Sequence, residues 1–61
     1  MSSTDRAALY RQRAADSERR ASELKTEELR RAWLIVARDW KAMAEREEAR
    51  VKAEALSDHT D

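Results

Sequence analysis

The chain has 61 residues, and its 13 Lys and Arg are balanced by 13 Asp and Glu. These residues can form at most one domain with a small core, so support from self-association is expected. Because cysteine is absent, disulfides and thiolate metal sites are excluded. Because glycine and proline are also absent, the composition favours helices over sheets and predicts an all-α protein.

The first helix is predicted over about residues 4–23. Ser3 or Thr4 can serve as its N-cap, and Asp5 places an acid in the first turn, where the helix dipole favours it. A stripe of mostly small residues recurs at intervals of three and four: Ala7, Tyr10, Ala14, Ser17, Ala21 and Leu24. Small side chains in such a stripe let a second helix approach closely.

The second helix is predicted over about residues 27–55. Its stripe is bulkier and contains both tryptophans of the chain: Leu29, Trp33, Val36, Trp40 and Met43. Because the two stripes are complementary in size, we expect them to pack against each other. The remaining residues, 56–61, are polar and lack periodicity, so we expect them to fray.

No glycine or proline separates the helices, so the position of the turn is inferred from the phase of the two stripes. Continuing the first stripe beyond Leu24 would place Glu28 and Arg31 in it, whereas the second stripe starts five residues after Leu24. A turn at about residues 24–26, with Thr26 as the second N-cap, removes this conflict. The sequence thus predicts a two-helix antiparallel hairpin, with a single bent helix as the alternative.

Some apolar residues of the second helix point away from its stripe. Leu34 and Ile35 lie on opposite sides of the stripe, so one partner helix cannot cover both. Ile35 continues into Ala32 and Ala42 as a smoother apolar edge that suits another subunit. Because a lone hairpin buries little apolar surface, we expect two hairpins to form a homodimer with the architecture of a four-helix bundle.

A row of arginines at intervals of seven flanks the first stripe: Arg6, Arg13 and Arg20. In the predicted hairpin these arginines face Glu47, Trp40 and Trp33 respectively, which predicts one ion pair and two cation–π contacts. We favour this structural role. The alternative is that the row binds the phosphates of a nucleic acid, but such proteins usually carry a net basic charge.

Side chains suited to catalysis are too few to predict an enzyme. His59 is the only histidine, and no cysteine or second histidine is present to complete a metal site or a proton relay. The acids of the second helix are expected to form helical ion pairs, such as Lys41 with Glu45 and Glu48 with Lys52. No glycine-rich loop is present to hold a phosphate. We therefore expect neither enzymatic activity nor a cofactor.

The longest apolar run, residues 32–37, is far shorter than the roughly 20 residues that a membrane-spanning helix requires. Residues 1–6 precede no hydrophobic run and do not resemble a signal peptide. A helix lying on a membrane surface would carry an excess of Lys and Arg on its polar face, where this chain mixes both signs. We expect a cytoplasmic protein whose partners are a second copy of the chain and an unidentified protein.

Two segments resemble a known group of proteins. They are Tyr10-Arg11-Gln12-Arg13-Ala14-Ala15-Asp16-Ser17-Glu18-Arg19-Arg20-Ala21 and the pattern Glu28-Leu29-Arg30, Trp33-Leu34, Ala37, Trp40 and Met43-Ala44. Together they resemble a group of short uncharacterised proteins common in alphaproteobacteria. That group often has Asp-Pro where this chain has Thr26-Glu27, and a cysteine at the position of Ser17. The resemblance implies a helical hairpin with Thr26 at the second N-cap, and it implies no activity.

Overall fold

The computed structural model describes residues 2–57, which form two helices packed side by side. Helix α1 spans Ser3–Glu23 and helix α2 spans Glu27–Ser57. Contacts of Arg6 with Glu47 and of Arg20 with Trp33 show that the helices run antiparallel. The predicted hairpin is therefore confirmed, and the single bent helix is not formed. The longest dimension of the molecule is 55 Å.

Helix α1 begins slightly earlier than expected because Ser2, rather than Ser3 or Thr4, is its N-cap. The backbone of Ser2 is extended (φ −80°, ψ 166°), and its hydroxyl accepts a hydrogen bond from the Asp5 amide at 3.2 Å. Three successive residues carry a hydroxyl that can cap a helix, so side-chain chemistry alone does not select among them.

The turn between the helices is tied to α2 through Arg30. Leu24 leaves the helical conformation, and its amide donates to the Ala21 carbonyl at 3.2 Å. The Arg30 guanidinium donates to the Leu24 carbonyl at 2.9 Å, so a side chain of α2 satisfies an acceptor at the C-terminal end of α1. Thr26 immediately precedes α2, and its carbonyl accepts from the Arg30 amide at 3.0 Å. No residue of the described part adopts a positive φ, so this turn requires no glycine.

The stripe predicted for α1 faces α2. Its buried members are Ala7, Ala14, Ser17 and Ala21, and its half-buried members are Tyr10 and Leu24. The buried hydroxyl of Ser17 donates to the Arg13 carbonyl at 2.9 Å. The hydroxyl can therefore be buried between the helices because its hydrogen is donated to a backbone carbonyl.

The stripe of α2 that faces α1 differs from the predicted one. Ala37 and Ala44 are the buried residues of α2, whereas Leu29 and Val36 are exposed. Small residues thus line the contact on both helices, and both tryptophans lie half-buried beside it. The predicted stripe is therefore correct for Trp33, Trp40 and Met43, which are half-buried, and wrong for Leu29 and Val36. Close approach of the helices is possible only where both present small side chains.

Helix α2 continues two residues beyond its predicted end, so Leu56 and Ser57 are helical rather than part of a frayed tail. It has 31 residues, against 21 in α1. Because the connecting turn is short, the C-terminal end of α2 extends beyond the start of α1. The rest of the predicted tail, including His59, lies outside the described residues.

Replacing Ala44 with leucine should lower the free energy of unfolding by about 1–3 kcal/mol, because the larger side chain would force the helices apart. Urea unfolding followed by circular dichroism measures the change. Ala15→Leu, at an exposed position of α1, is the matched control and should change stability by less than about 0.5 kcal/mol. Equal effects of the two substitutions would show that the helices do not meet at the alanines.

Candidate interaction surface

The larger aliphatic side chains of α2 lie outside the boundary between the helices. The exposed ones are Leu29 (52%), Leu34 (47%), Ile35 (57%), Val36 (38%) and Leu56 (60%). All except Leu56 fall within the first turns of α2. A helical segment with apolar side chains on several sides is typical of a helix that is covered in a larger assembly.

Ile35 and Ala42 lie on the side of α2 that faces away from α1. Each precedes a buried alanine, Ala37 or Ala44, by two residues, and two residues correspond to about 200° around an α-helix. We call this side the back face. Its residues recur at intervals of three and four, and all are exposed: Ala32, Ile35, Asp39, Ala42, Arg46, Ala49, Ala53 and Leu56.

Leu34 does not belong to the back face. It precedes the buried Ala37 by three residues, which places it about 60° around the helix from the contact with α1. Leu34 and Ile35 nevertheless line the same shallow groove of about 320 Å³, together with Arg31 and Arg38. The two exposed aliphatics therefore lie on neighbouring sides of α2 and meet at one groove.

Two members of the arginine row form the contacts that the sequence predicts. Arg6 Nε lies 3.6 Å from Glu47 Oε2, and the guanidinium carbon of Arg20 lies 5.9 Å from the centre of a Trp33 ring. Glu47 lies at the edge of the helix boundary, and its Oε2 makes no hydrogen bond. At that separation the attraction between Arg6 and Glu47 is ionic rather than a hydrogen bond.

The third predicted contact, between Arg13 and Trp40, is not formed. Instead Tyr10 stacks on Trp40, with ring centroids 5.6 Å apart and planes inclined by 29°. Tyr10 belongs to the stripe that faces α2, so its ring meets Trp40 while Arg13 is exposed to solvent. Arg6 and Arg20 therefore make their predicted contacts, and Arg13 does not.

Arg11 and Glu48 form a bidentate ion pair on the other edge of the hairpin. Arg11 Nε donates to Glu48 Oε2 at 3.0 Å, and Nη2 donates to Oε1 at 2.7 Å. These hydrogen bonds hold the pKa of the Glu48 carboxyl below its ordinary value and, together with the negative charge, raise the pKa of Arg11.

The ion pairs across the helices replace those predicted along α2. Glu48 pairs with Arg11 rather than Lys52, and Lys41 Nζ lies 3.2 Å from Glu18 Oε1 rather than pairing with Glu45. Residue spacing along one helix reveals only local partners. The partners across the hairpin depend on how α2 is rotated about its axis, which the charges alone do not indicate.

Within residues 2–57, no three His, Cys, Asp or Glu side chains are grouped as a metal site. In the same range no helix is long and apolar enough to cross a membrane. The chain matches no protein-family model, no curated protein and no solved structure. In this part of the chain, the surface feature suited to a binding partner is the group of exposed aliphatic residues on α2.

Replacing Arg20 with glutamine should lower the free energy of unfolding by roughly 0.5–1 kcal/mol, because the guanidinium leaves the Trp33 ring. Thermal unfolding followed by circular dichroism measures the change. Arg13→Gln is the matched control and should have less than about half that effect, because Arg13 makes no contact with Trp40. Similar losses from both would attribute the effect to net charge rather than to the ring contact.

Replacing Glu48 with glutamine should destabilise the protein at pH 7 and have a smaller effect in acid. The folded-state pKa of Glu48 is depressed, so its ion pair contributes fully above the unfolded value of about 4.3. The contribution is lost as the pH falls through the folded-state pKa. Urea unfolding over this range measures the difference from wild type.

Glu54→Gln is the control for this pH series, because Glu54 is exposed and takes part in none of the ion pairs among residues 2–57. Its effect should be small at every pH. A destabilisation by Glu48→Gln that does not diminish in acid would contradict the assigned role of the carboxylate.

Proposed function

We propose that the chain is a small structural and protein-interaction module whose working form is a homodimer of helical hairpins. The observation that carries the proposal is the distribution of apolar side chains. Alanines and a serine fill the helix boundary, while Ile35 and other aliphatic residues of α2 face solvent. Covering those residues with a second copy would add hydrophobic stabilisation that the hairpin alone lacks.

The composition of the core supports the same proposal. No large side chain among the described residues is fully buried. Two helices provide only one contact, so Trp33 and Trp40 remain half-buried at its edges. Small chains usually require an additional element of support. Two hairpins joined through α2 would give each α2 helix a second helical neighbour.

We propose a protein partner rather than a nucleic acid for the remaining surface. Two of the three arginines in the row, Arg6 and Arg20, make contacts within the hairpin. The formal net charge of the chain is zero, whereas nucleic-acid-binding proteins usually have a basic face. The charged outer faces carry both signs, which suits docking of a further protein of complementary charge pattern.

Sedimentation equilibrium over about a hundredfold range of concentration tests the dimer. We expect the wild-type chain to be dimeric and Ile35→Glu to dissociate it, because the substitution places a charge on the back face. Ala15→Glu adds the same charge at an exposed position of α1 and should leave the dimer intact. A wild-type chain that stays monomeric and folded throughout would refute the proposal.

A further inference from the structure

The back face of α2 carries two charges of opposite sign that have no partner within the hairpin. Asp39 and Arg46 are seven residues apart, and both are exposed. Neither takes part in the ion pairs among residues 2–57. The positions three and four residues away from each contain no side chain of opposite charge, so α2 itself offers no partner.

We propose that these charges pair between two copies of the chain, whose α2 helices lie antiparallel with their back faces in contact. This inference rests on the proposed homodimer and specifies its geometry: with the back faces in contact, the two α1 helices lie on the outside, and the four helices form a single layer rather than a square bundle. Asp39 of each copy lies beside the partner's Arg46, and the ion pair is therefore repeated by a twofold axis near Ala42. An interface of this kind is self-complementary, as a closed homodimer requires.

The same register matches the apolar residues of the back face. It places Ala32 opposite the partner's Ala53, and it brings Ile35 and Ala42 to within one residue of the partner's Ala49 and the partner's Ala42 respectively. Alanine on at least one side of each pair lets the helices approach closely, and the larger Ile35 meets a small residue. The charges and the side-chain sizes thus favour one alignment independently.

Two exposed leucines at opposite ends of α2 become level along the helix axis in this register. Leu29 lies near the start of α2, and Leu56 lies on the end that extends beyond α1. Antiparallel pairing brings Leu56 of one copy level with the partner's Leu29. The overhanging end of α2 then lies near the turn of the partner, where Leu56, a back-face residue, is partly covered.

Other alignments place like charges together. A parallel pair in register would set Asp39 beside the partner's Asp39, and Arg46 beside the partner's Arg46. An antiparallel pair shifted by one heptad in either direction would oppose two copies of Asp39 or two copies of Arg46. Like charges in contact across an interface disfavour the wrong pairing. The two charges therefore disfavour the parallel pair and both heptad-shifted antiparallel pairs.

Charge reversal at the two positions tests the inference by sedimentation equilibrium. Asp39→Arg and Arg46→Asp should each raise the dissociation constant of the homodimer by about tenfold or more, since each turns two attractive pairs into two repulsive ones. A one-to-one mixture of the two variants should form a heterodimer with nearly wild-type affinity, identified by its mass in native mass spectrometry. The double variant D39R/R46D should likewise recover homodimer formation.

The control is Glu23→Arg, which makes the same change in charge as Asp39→Arg at an exposed position of α1 and should not alter the dissociation constant. Circular dichroism verifies that every variant is helical. If the wild type dimerises and the single variants dimerise equally well, or if their mixture fails to form a heterodimer, the register is wrong although the homodimer stands. If the wild type is monomeric throughout, both proposals fail.

Discussion

The contact between small side chains on both helices is the constraint on which the rest of the structure depends. Ala37 and Ala44 of α2 are buried against the alanine-rich stripe of α1. The tryptophans are half-buried and meet side chains of α1: Trp33 lies against Arg20, and Trp40 stacks on Tyr10. The same rotation of α2 turns Ile35 and Ala42 to the side opposite α1. The composition of the core thus determines which residues are left on the surface for another chain.

A contact made of alanines stabilises the hairpin without strongly defining how far one helix is displaced along the other. Alanine buries little area and has no rotamers that interlock with a neighbour. The larger contacts lie along the two edges, where Tyr10 stacks on Trp40 and Arg11 holds Glu48 through two hydrogen bonds. At the closed end, the Arg30 guanidinium donates a hydrogen bond to the carbonyl of Leu24, which directly follows α1. These partly exposed contacts supply the alignment that the core does not.

Much of the fold could be predicted from the pattern of residues, whereas the rotation of α2 could not. The stripe of α1 was unambiguous because few other apolar residues compete with it. In α2, the pattern of apolar residues favours the more hydrophobic Leu29 and Val36 for the contact, whereas the structure buries the smaller Ala37. The error shifts the predicted direction of every side chain on α2. It also hides the pairing of Arg11 with Glu48, whose positions are 37 residues apart.

The division of roles between core and edges has a consequence for how related sequences are expected to diverge. Substitutions along the alanine stripes have little freedom, because any larger residue separates the helices. At the edges, Tyr10 with Trp40 and Arg11 with Glu48 are pairs whose members depend on each other. Such positions should vary jointly, so that a change in one is accompanied by a compensating change across the hairpin. Correlated variation would then be concentrated in partly exposed residues, and the buried ones would be nearly uniform.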